Sequence, residues 1–173
     1  KNRKKTSGSN KQKVILWADT FNNFFLPETL VAAVDVLEAA GFEVVIPKKI
    51  LCCGRPLYDF GMLKTAKKLL REILDTLAED IEQGVPIVGL EPSCVAVFRD
   101  ELYNLFPMDV NAQRLKSQTF TLAEFLEEKA PSFNFPQLKV KAIMHGHCHQ
   151  KAIMKTTRDA DLIKKMGLDC TIL

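Results

Sequence analysis

The stretch VILWADTFNNFFLPETLVAAVDVLEAAGFEVVI, residues 14–46, decides the fold class. Its first four residues are apolar and predict a short buried strand. Apolar residues then recur at helical spacing from Pro27 onward, and Gly41 is typical of the residue that follows a helix C-terminus. The β-branched run at 44–46 predicts a second strand. A strand, a helix and a strand in this order predict a parallel pair joined by a right-handed crossover.

The rest of the chain continues this alternation. The further predicted helices have apolar residues at helical spacing and cover residues 63–83, 96–105, 121–129 and 158–165. The further predicted strands are apolar runs at residues 86–90, 140–144 and 170–173, and a linker is predicted at 131–136. The predicted fold class is therefore α/β, with a parallel sheet flanked by helices.

An internal repeat divides the chain. Residues 40–46 resemble residues 166–172, with Gly41 matching Gly167 at an offset of 126 positions, and the same offset carries Val14 onto Val140. We predict a flexible basic tail or linker at 1–12, a first repeat at 13–139 and the start of a second repeat at 140–173. The second repeat is expected to be incomplete, because a counterpart of the cysteine pair at 52–53 would fall beyond Leu173.

The charge of the chain is uneven. Residues 1–13 hold six basic side chains and no acidic one, while the whole chain carries +3, so the remainder is mildly acidic. No aromatic residue interleaves with these charges, which favours a solvated terminus over a nucleic-acid surface. No apolar run approaches the roughly 20 residues of a membrane span, and the tail does not resemble a secretory signal. The odd cysteine count indicates a reducing, cytoplasmic compartment, with membrane association only through partners.

Three clusters of soft metal ligands carry the chemistry. They are Cys52-Cys53-Gly54-Arg55-Pro56, Glu91-Pro92-Ser93-Cys94 and His145-Gly146-His147-Cys148-His149. Each follows a predicted strand, and parallel sheets bind ligands beyond the carboxyl ends of their strands. Thiolate and imidazole hold zinc, copper and iron–sulfur centres. The candidate metal ligands are Cys52, Cys53, Cys94, Cys148, His147 and His149.

Several of these residues have a second interpretation. The motif cysteines can also be buried small apolar residues, and Cys170, inside an apolar strand, is expected to be one. Arg55 and Arg99 can bind an anionic group or form ordinary ion pairs. Glu91 can be a metal ligand or a carboxylate at a helix start. The phenylalanines of residues 21–25 can contact a partner, although a buried edge of the core is favoured.

The three motifs together resemble the cysteine-rich CCG domain family. This family includes the B subunit of heterodisulfide reductase and iron–sulfur subunits of glycolate, lactate and glycerol-3-phosphate oxidoreductases. Residues 52–59, 91–102 and 145–151 look closest to the C-terminal CCG region of FAD-linked D-lactate and glycolate oxidoreductases. The resemblance covers about residues 13–173. The family is built of two CCG repeats, in agreement with the 126-residue offset.

The resemblance implies a cofactor and a partner. In the heterodisulfide reductase branch the cysteines hold non-cubane [4Fe–4S] clusters, and an FAD-containing domain or subunit supplies electrons. This chain departs from that pattern at Asp19-Thr20-Phe21-Asn22 and at Glu91-Pro92-Ser93-Cys94, so its first repeat keeps three of the five expected thiols. One site between the repeats, formed by Cys52, Cys53, Cys94 and Cys148, fits the sequence better.

Two functions follow from the sequence. The first is an electron-transfer module, iron–sulfur or otherwise metal-containing, of a flavin-dependent 2-hydroxy-acid oxidoreductase. The alternative is a degenerate CCG module that binds zinc or docks a protein without redox activity. The fragment alone is expected to be inactive and to carry little or no iron, since a cluster needs its full set of ligands.

Overall fold

The computed structural model describes residues 11–154 and 157–173. Most of the predicted tail at 1–12 lies outside these residues. Four strands form one parallel sheet in the order β2-β1-β3-β4: β1 (Lys13–Trp17), β2 (Glu43–Val45), β3 (Ile87–Gly89) and β4 (Thr119–Thr121). Strands β5 (Lys141–Met144) and β6 (Asp169–Ile172) form a second parallel sheet. The prediction of an α/β fold with a parallel sheet flanked by helices is confirmed.

Helices connect the strands and cover the sheet. In chain order they are α1 (Thr20–Phe24), α2 (Pro27–Ala39), α3 (Arg55–Asp59), α4 (Leu63–Thr76), α5 (Ala78–Glu82), α6 (Pro92–Arg99), α7 (Glu101–Leu105), α8 (Val110–Gln118), α9 (Leu122–Lys129) and α10 (Thr157–Lys165). A π-helical turn, Gln150–Met154, precedes α10. Within the described residues, none of these helices combines the length and the apolar character that crossing a membrane requires.

Strand β1 lies at the centre of two apolar cores. Successive side chains of a strand point to opposite faces, and those of Ile15 and Trp17 pack against the helices α4 to α8. Val14 and Leu16 face the other side, where they pack with α2 and α9. All four side chains are at most 1% exposed, which explains why this strand reads as a continuous apolar run.

The structure differs from two predicted helices and contains a strand that was not predicted. The helix predicted over 63–83 is divided at Leu77, whose φ of −101° and ψ of 10° are not helical. The helix predicted over 96–105 begins earlier, at Pro92, and is divided at Asp100. Strand β4 escaped the sequence analysis because it is three residues long and its buried residues Thr119 and Thr121 are polar. The Thr119 hydroxyl is satisfied by donating to the carbonyl of Leu115 at 2.7 Å.

The segment β5–α10–β6 has the same order and strand direction as β1–α2–β2. Both pairs are parallel, and α2 and α10 are followed by glycines with positive φ, Gly41 and Gly167. The two units are not identical, because fewer residues separate the paired strand positions in the second unit than in the first. This similarity supports the internal repeat, and the division at residues 139 and 140 stays a prediction.

Candidate metal centre

Helix α6 positions Cys94 at the carboxyl edge of the four-stranded sheet. Strands β1 and β3 end side by side, with Trp17 paired to Gly89, and α6 begins at Pro92, shortly after β3. A Cβ atom on Gly89 would lie 2.6 Å from Cγ2 of Val95. The missing side chain therefore allows α6 to pack directly against the end of β3.

Glu91 holds the start of this helix. Its carboxylate accepts hydrogen bonds from the backbone N–H of Ser93 at 3.1 Å and from the Ser93 hydroxyl at 2.8 Å. These contacts make Glu91 the N-cap residue of α6. Of the two roles that the sequence left open for Glu91, the structure supports the carboxylate at a helix start.

The loop after β2 brings a second thiol to the same edge. Gly54 has a φ of +73°, a left-handed conformation that glycine adopts without steric cost, and the chain turns there into α3. The sulfur of Cys53 lies 2.9 Å from the sulfur of Cys94, although the two residues are 41 positions apart in sequence. Both residues belong to the apolar core and are only 5% and 6% exposed.

Hydrogen-bond donors surround the two adjacent cysteines of the loop. The backbone N–H of Gly54 and the hydroxyl of Thr20 donate to the Cys52 sulfur, the hydroxyl at 3.8 Å. The backbone N–H of Arg55 donates to the Cys53 sulfur. Such donors favour the thiolate form, which is the form that binds metal.

These donors do not make the thiols acidic in the absence of a metal. The contact with Cys53, followed by burial, raises the pKa of Cys52 above its usual range. The hydrogen bond with Cys52 lowers the pKa of Cys53, but the contact with Cys94, burial and the charge of Cys94 outweigh it and raise that pKa to about 12. At neutral pH the Cys52 and Cys53 thiols are therefore protonated, and a bound metal must displace their protons.

Arg55 anchors this loop to the neighbouring helices. Its Nη1 atom lies 2.5 Å from a carboxylate oxygen of Glu101 and 3.2 Å from one of Asp59. The side chains of Arg55 and Glu101 are 9% and 8% exposed, so this is a buried ion pair. The Nε and Nη2 atoms of Arg55 are buried without a hydrogen-bond partner among the described residues. The ion pair fastens the turn that carries Cys53 to α7.

Arg99 has a structural role. Its guanidinium donates two hydrogen bonds to the carboxylate of Glu124, at 3.1 and 2.6 Å, and two to the carbonyl of Thr119, at 3.1 and 2.7 Å. Every nitrogen of the guanidinium is thus engaged with the protein. Of the two roles left open for Arg99, the structure supports the ion pair, which connects α6 to β4 and α9.

The fourth predicted cysteine lies in a different setting. Cys148 is exposed, and its sulfur lies 3.8 Å from Nδ1 of His147 and 3.6 Å from Nδ1 of His149. In the parts of the chain that the structure describes, these three side chains form the one group of three or more His, Cys or acidic residues whose ligand atoms all lie within 4.8 Å of one another. The π-helical turn that follows packs against α6, the helix of Cys94.

The predicted ligands are thus found in two groups. The first comprises Cys52, Cys53 and Cys94, and the second comprises His147, Cys148 and His149. Across residues 11–154 and 157–173, no hydrogen-bonding contact joins Cys148 to another cysteine. A single centre shared by all four cysteines stays a prediction.

Two expectations about apolar residues were wrong. Cys170 lies in β6 and is only partly buried, because the β5–β6 sheet is less completely covered than the central sheet. Phe21, Phe24 and Phe25 are 60%, 57% and 71% exposed, so they are not a buried edge of the core. Helix α1 is short, and the residue that it buries is Asn22.

Two residues at the site were missed by the sequence analysis. Glu101, the partner of Arg55, belongs to the motif at 91–102, and a buried arginine in the Cys52-Cys53 motif was a signal that a carboxylate should accompany it. Thr20 occupies the segment where the family pattern has a cysteine. Its contact with Cys52 at 3.8 Å shows that this position faces the thiols even without one.

Comparisons with known proteins agree with the motifs. The cysteine-rich domain of the CCG family matches residues 19–99. Lactate utilization protein A of Halalkalibacterium halodurans is 30% identical over 160 residues, which are 89% of this chain and 64% of that protein. The protein of the same name from Bacillus subtilis is 30% identical over 152 residues, covering 85% of this chain and 62% of that protein.

The matches cover only part of the length of these relatives. The chain spans less than two thirds of the length of these two relatives. The family match includes Cys52, Cys53 and Cys94 and ends before Cys148. The thiols that meet at the edge of the central sheet therefore lie in the segment that matches the cysteine-rich domain of the CCG family.

Proposed function

We propose that this chain is the metal-holding, electron-transfer module of a system that oxidises lactate or another 2-hydroxy acid. Cys52, Cys53 and Cys94 are the proposed core ligands of the metal or iron–sulfur centre. His147, Cys148 and His149 form a second group of candidate metal ligands. Electrons pass from a flavin-containing domain or subunit to an acceptor, in the cytoplasm.

The observation that carries this proposal is the 2.9 Å separation of the Cys53 and Cys94 sulfurs. Two thiols from distant parts of the chain meet at the sheet edge, where parallel α/β proteins bind their ligands. They do so inside the segment that matches a cysteine-rich family. Thiols brought together in this way provide the soft donor set that iron–sulfur clusters and zinc require.

The residues present fit a thiolate-held centre. A [4Fe–4S] cluster takes four ligands; three thiols lie together in the matched domain, and the fourth ligand comes from outside this group. Such a cluster, when bound, would accept and release single electrons. The protein's own contribution is to aim backbone N–H groups and the Thr20 hydroxyl at the sulfurs and to exclude water from Cys53 and Cys94 by burial.

The substrate class rests on the relatives. The two relatives described above are named for lactate utilization, and the family resemblance links CCG domains to flavin-dependent oxidoreductases. The side chains that are gathered in the two groups are thiols and imidazoles, which are metal ligands. We therefore assign the oxidation of lactate to a separate flavin domain or subunit and electron transfer to this chain.

The test is metal analysis of the full-length protein after anaerobic purification. We expect iron and acid-labile sulfide in the wild type, with a visible absorption band that bleaches on reduction. Cys53→Ser and Cys94→Ser should lose both, whereas Cys170→Ser, a matched change of a partly buried cysteine outside both groups, should retain them. An iron-free wild type, or iron retained in both Cys53→Ser and Cys94→Ser, would contradict the proposal.

A docking module without redox activity is the second candidate. The exposed Phe21, Phe24 and Phe25 favour it, because exposed clusters of large apolar side chains mark interaction surfaces. Under this alternative, Phe24→Ser and Phe25→Ser weaken complex formation in a pull-down with the flavin protein, while the iron content of the wild type is zero. Iron content thus separates the two candidates.

A further inference from the structure

The histidines on either side of Cys148 have the geometry of a metal chelate. The two imidazole rings are stacked, with centroids 5.2 Å apart and an angle of 17° between their planes. Their Nδ1 atoms lie 3.8 and 3.6 Å from the Cys148 sulfur. Two ring nitrogens therefore lie near one sulfur, and the ligand atoms of these three consecutive residues all lie within 4.8 Å of one another.

These separations can be compared with those in a real site. Zinc bonds imidazole nitrogen at about 2.0 Å and thiolate sulfur at about 2.3 Å, so a tetrahedral ion places a nitrogen and a sulfur ligand about 3.5 Å apart. The two observed separations exceed this value by a few tenths of an ångström at most. A small adjustment of the side chains is enough to bring all three ligands to one ion.

We propose that His147 Nδ1, Cys148 Sγ and His149 Nδ1 form a separate site for one divalent ion of the zinc class, with a fourth position open to solvent or to a further ligand. The inference rests on the proposed function only in taking Cys148 as a metal ligand. It assigns this cysteine to its own mononuclear site, which needs neither iron nor sulfide. Two imidazoles and one thiolate suit zinc, cobalt and nickel.

The site is local, and this distinguishes it from the thiol pair. Its ligands come from three consecutive residues, whereas Cys53 and Cys94 are brought together by the sheet and by α6. Cys148 is exposed, so an ion reaches it without opening the core. Metal binding at this site should therefore be independent of Cys53 and Cys94.

One existing contact competes with the ion. The backbone N–H of His149 donates to Nδ1 of His147 at 3.3 Å. In this bond the lone pair of Nδ1 is the acceptor, and a bound ion would take the place of the N–H. The bond is long and exposed, so an ion can replace it while water solvates the released N–H.

The experiment uses cobalt(II) as a spectroscopic probe of the full-length protein, purified without iron under reducing conditions. A tetrahedral cobalt(II) ion with a thiolate ligand gives visible d–d bands and a near-ultraviolet thiolate-to-cobalt charge-transfer band. We expect one equivalent of cobalt to give both, and zinc to displace it. Cys148→Ser should abolish the charge-transfer band, and His147→Ala and His149→Ala should each weaken cobalt binding at least tenfold.

Matched controls make the result decisive. His145→Ala changes a nearby histidine outside the group and should leave the cobalt titration unchanged, and Cys53→Ser and Cys94→Ser should retain the charge-transfer band that Cys148→Ser loses. The fluorescence of Trp17, the single tryptophan, reports whether each variant retains its core. A band that is lost in Cys53→Ser or Cys94→Ser and kept in both histidine variants would overturn the separate site in favour of a shared thiolate centre. Iron analysis of the wild type tests the proposed function independently, because it does not involve cobalt.

Discussion

The two groups of candidate ligands are built in opposite ways. Cys53 and Cys94 are buried and meet because two strand-end segments 41 positions apart converge at one sheet edge. His147, Cys148 and His149 are neighbours in sequence, and the thiol among them is exposed. The first group exists only when the core is intact, whereas the second needs only the local turn. One chain can thus combine a site that depends on its folded core with a site that does not.

The largest effect should come from removing an aromatic side chain that supports the buried pair. Phe98 is 1% exposed and contacts Trp17 edge-on, with ring centroids 4.9 Å apart. Phe98→Ala should lower the free energy of unfolding by about 4 kcal/mol because it leaves a cavity. Ile143→Ala, at a 74% exposed position of β5, should change it by less than about 0.5 kcal/mol. Urea unfolding followed by Trp17 fluorescence measures both, and equal losses would contradict the comparison.

The next effect concerns the ion pair that fastens the cysteine loop. Glu101→Gln leaves the charge of Arg55 buried with a weaker partner, so we expect a loss of about 3 kcal/mol in the free energy of unfolding. Asp59→Asn removes the half-exposed partner of the same arginine and should cost much less. Urea unfolding compares the two variants. If both cost the same, Glu101 is not the residue that anchors the loop.

Thiol reactivity should separate the two groups directly. The pKa of Cys53 is raised to about 12, so its reactive thiolate is scarce at neutral pH, and its burial blocks access. In the metal-free protein, alkylation of Cys53 should be at least about a hundredfold slower than that of Cys148. The chemical part of its rate should rise as the pH approaches that pKa. Peptide mass spectrometry over a time course measures the alkylation rate of each cysteine. Similar rates at neutral pH would contradict the expected difference between the two groups.

The smallest effect should appear on the acid side. Burial raises the pKa of Glu124, but the hydrogen bond from Arg99 and the other donors outweigh it and lower the pKa below the usual value. A carboxyl group whose pKa is lowered by folding stabilises the fold at pH values above its ordinary pKa. This stabilisation is lost as the pH falls through the pKa of the folded state. Glu124→Gln should therefore cost about 1 kcal/mol at neutral pH and progressively less in acid.

Glu127→Gln is the control for this pH dependence. Glu127 bonds Arg158 and Lys165 on the surface, where solvent screens the interaction. Its substitution should leave the unfolding midpoint almost unchanged at every pH. A Glu124→Gln effect that does not shrink between pH 7 and pH 3 would show that the loss comes from packing and not from charge.

The sequence predicted those parts of the fold that depend on continuous patterns. Strand β1 was found because it is a continuous apolar run, and helix α2 was found because its apolar residues recur at helical spacing. Strand β4 was missed, since the buried Thr119 and Thr121 are stabilised by sheet pairing and hydrogen bonds and not by apolar character. No glycine or proline marks the position at Leu77 where the long helix is divided.

The candidate site was predictable to a similar degree. The meeting of Cys53 with Cys94 followed from the rule that strand ends of a parallel sheet share an edge. The same rule led us to expect Cys148 there. Cys148 follows β5, which belongs to a separate two-stranded sheet, and a centre that it shares with Cys53 and Cys94 stays a prediction. The exposure of Phe21 and Phe25 was missed because the sequence of an apolar cluster does not show which of its sides faces water.

The absence of a side chain at Gly89 determines how closely α6, and with it Cys94, approaches the sheet. A methyl group there would meet Val95 at 2.6 Å, and the stiff, β-branched valine has few ways to yield. The adjustment would fall on α6, which would tilt away from the strand and take Cys94 with it. Gly89 has no ligand atom, yet it thus acts as the spacer that sets the distance between the two sulfurs, and its small size matters to the candidate centre as much as to the packing.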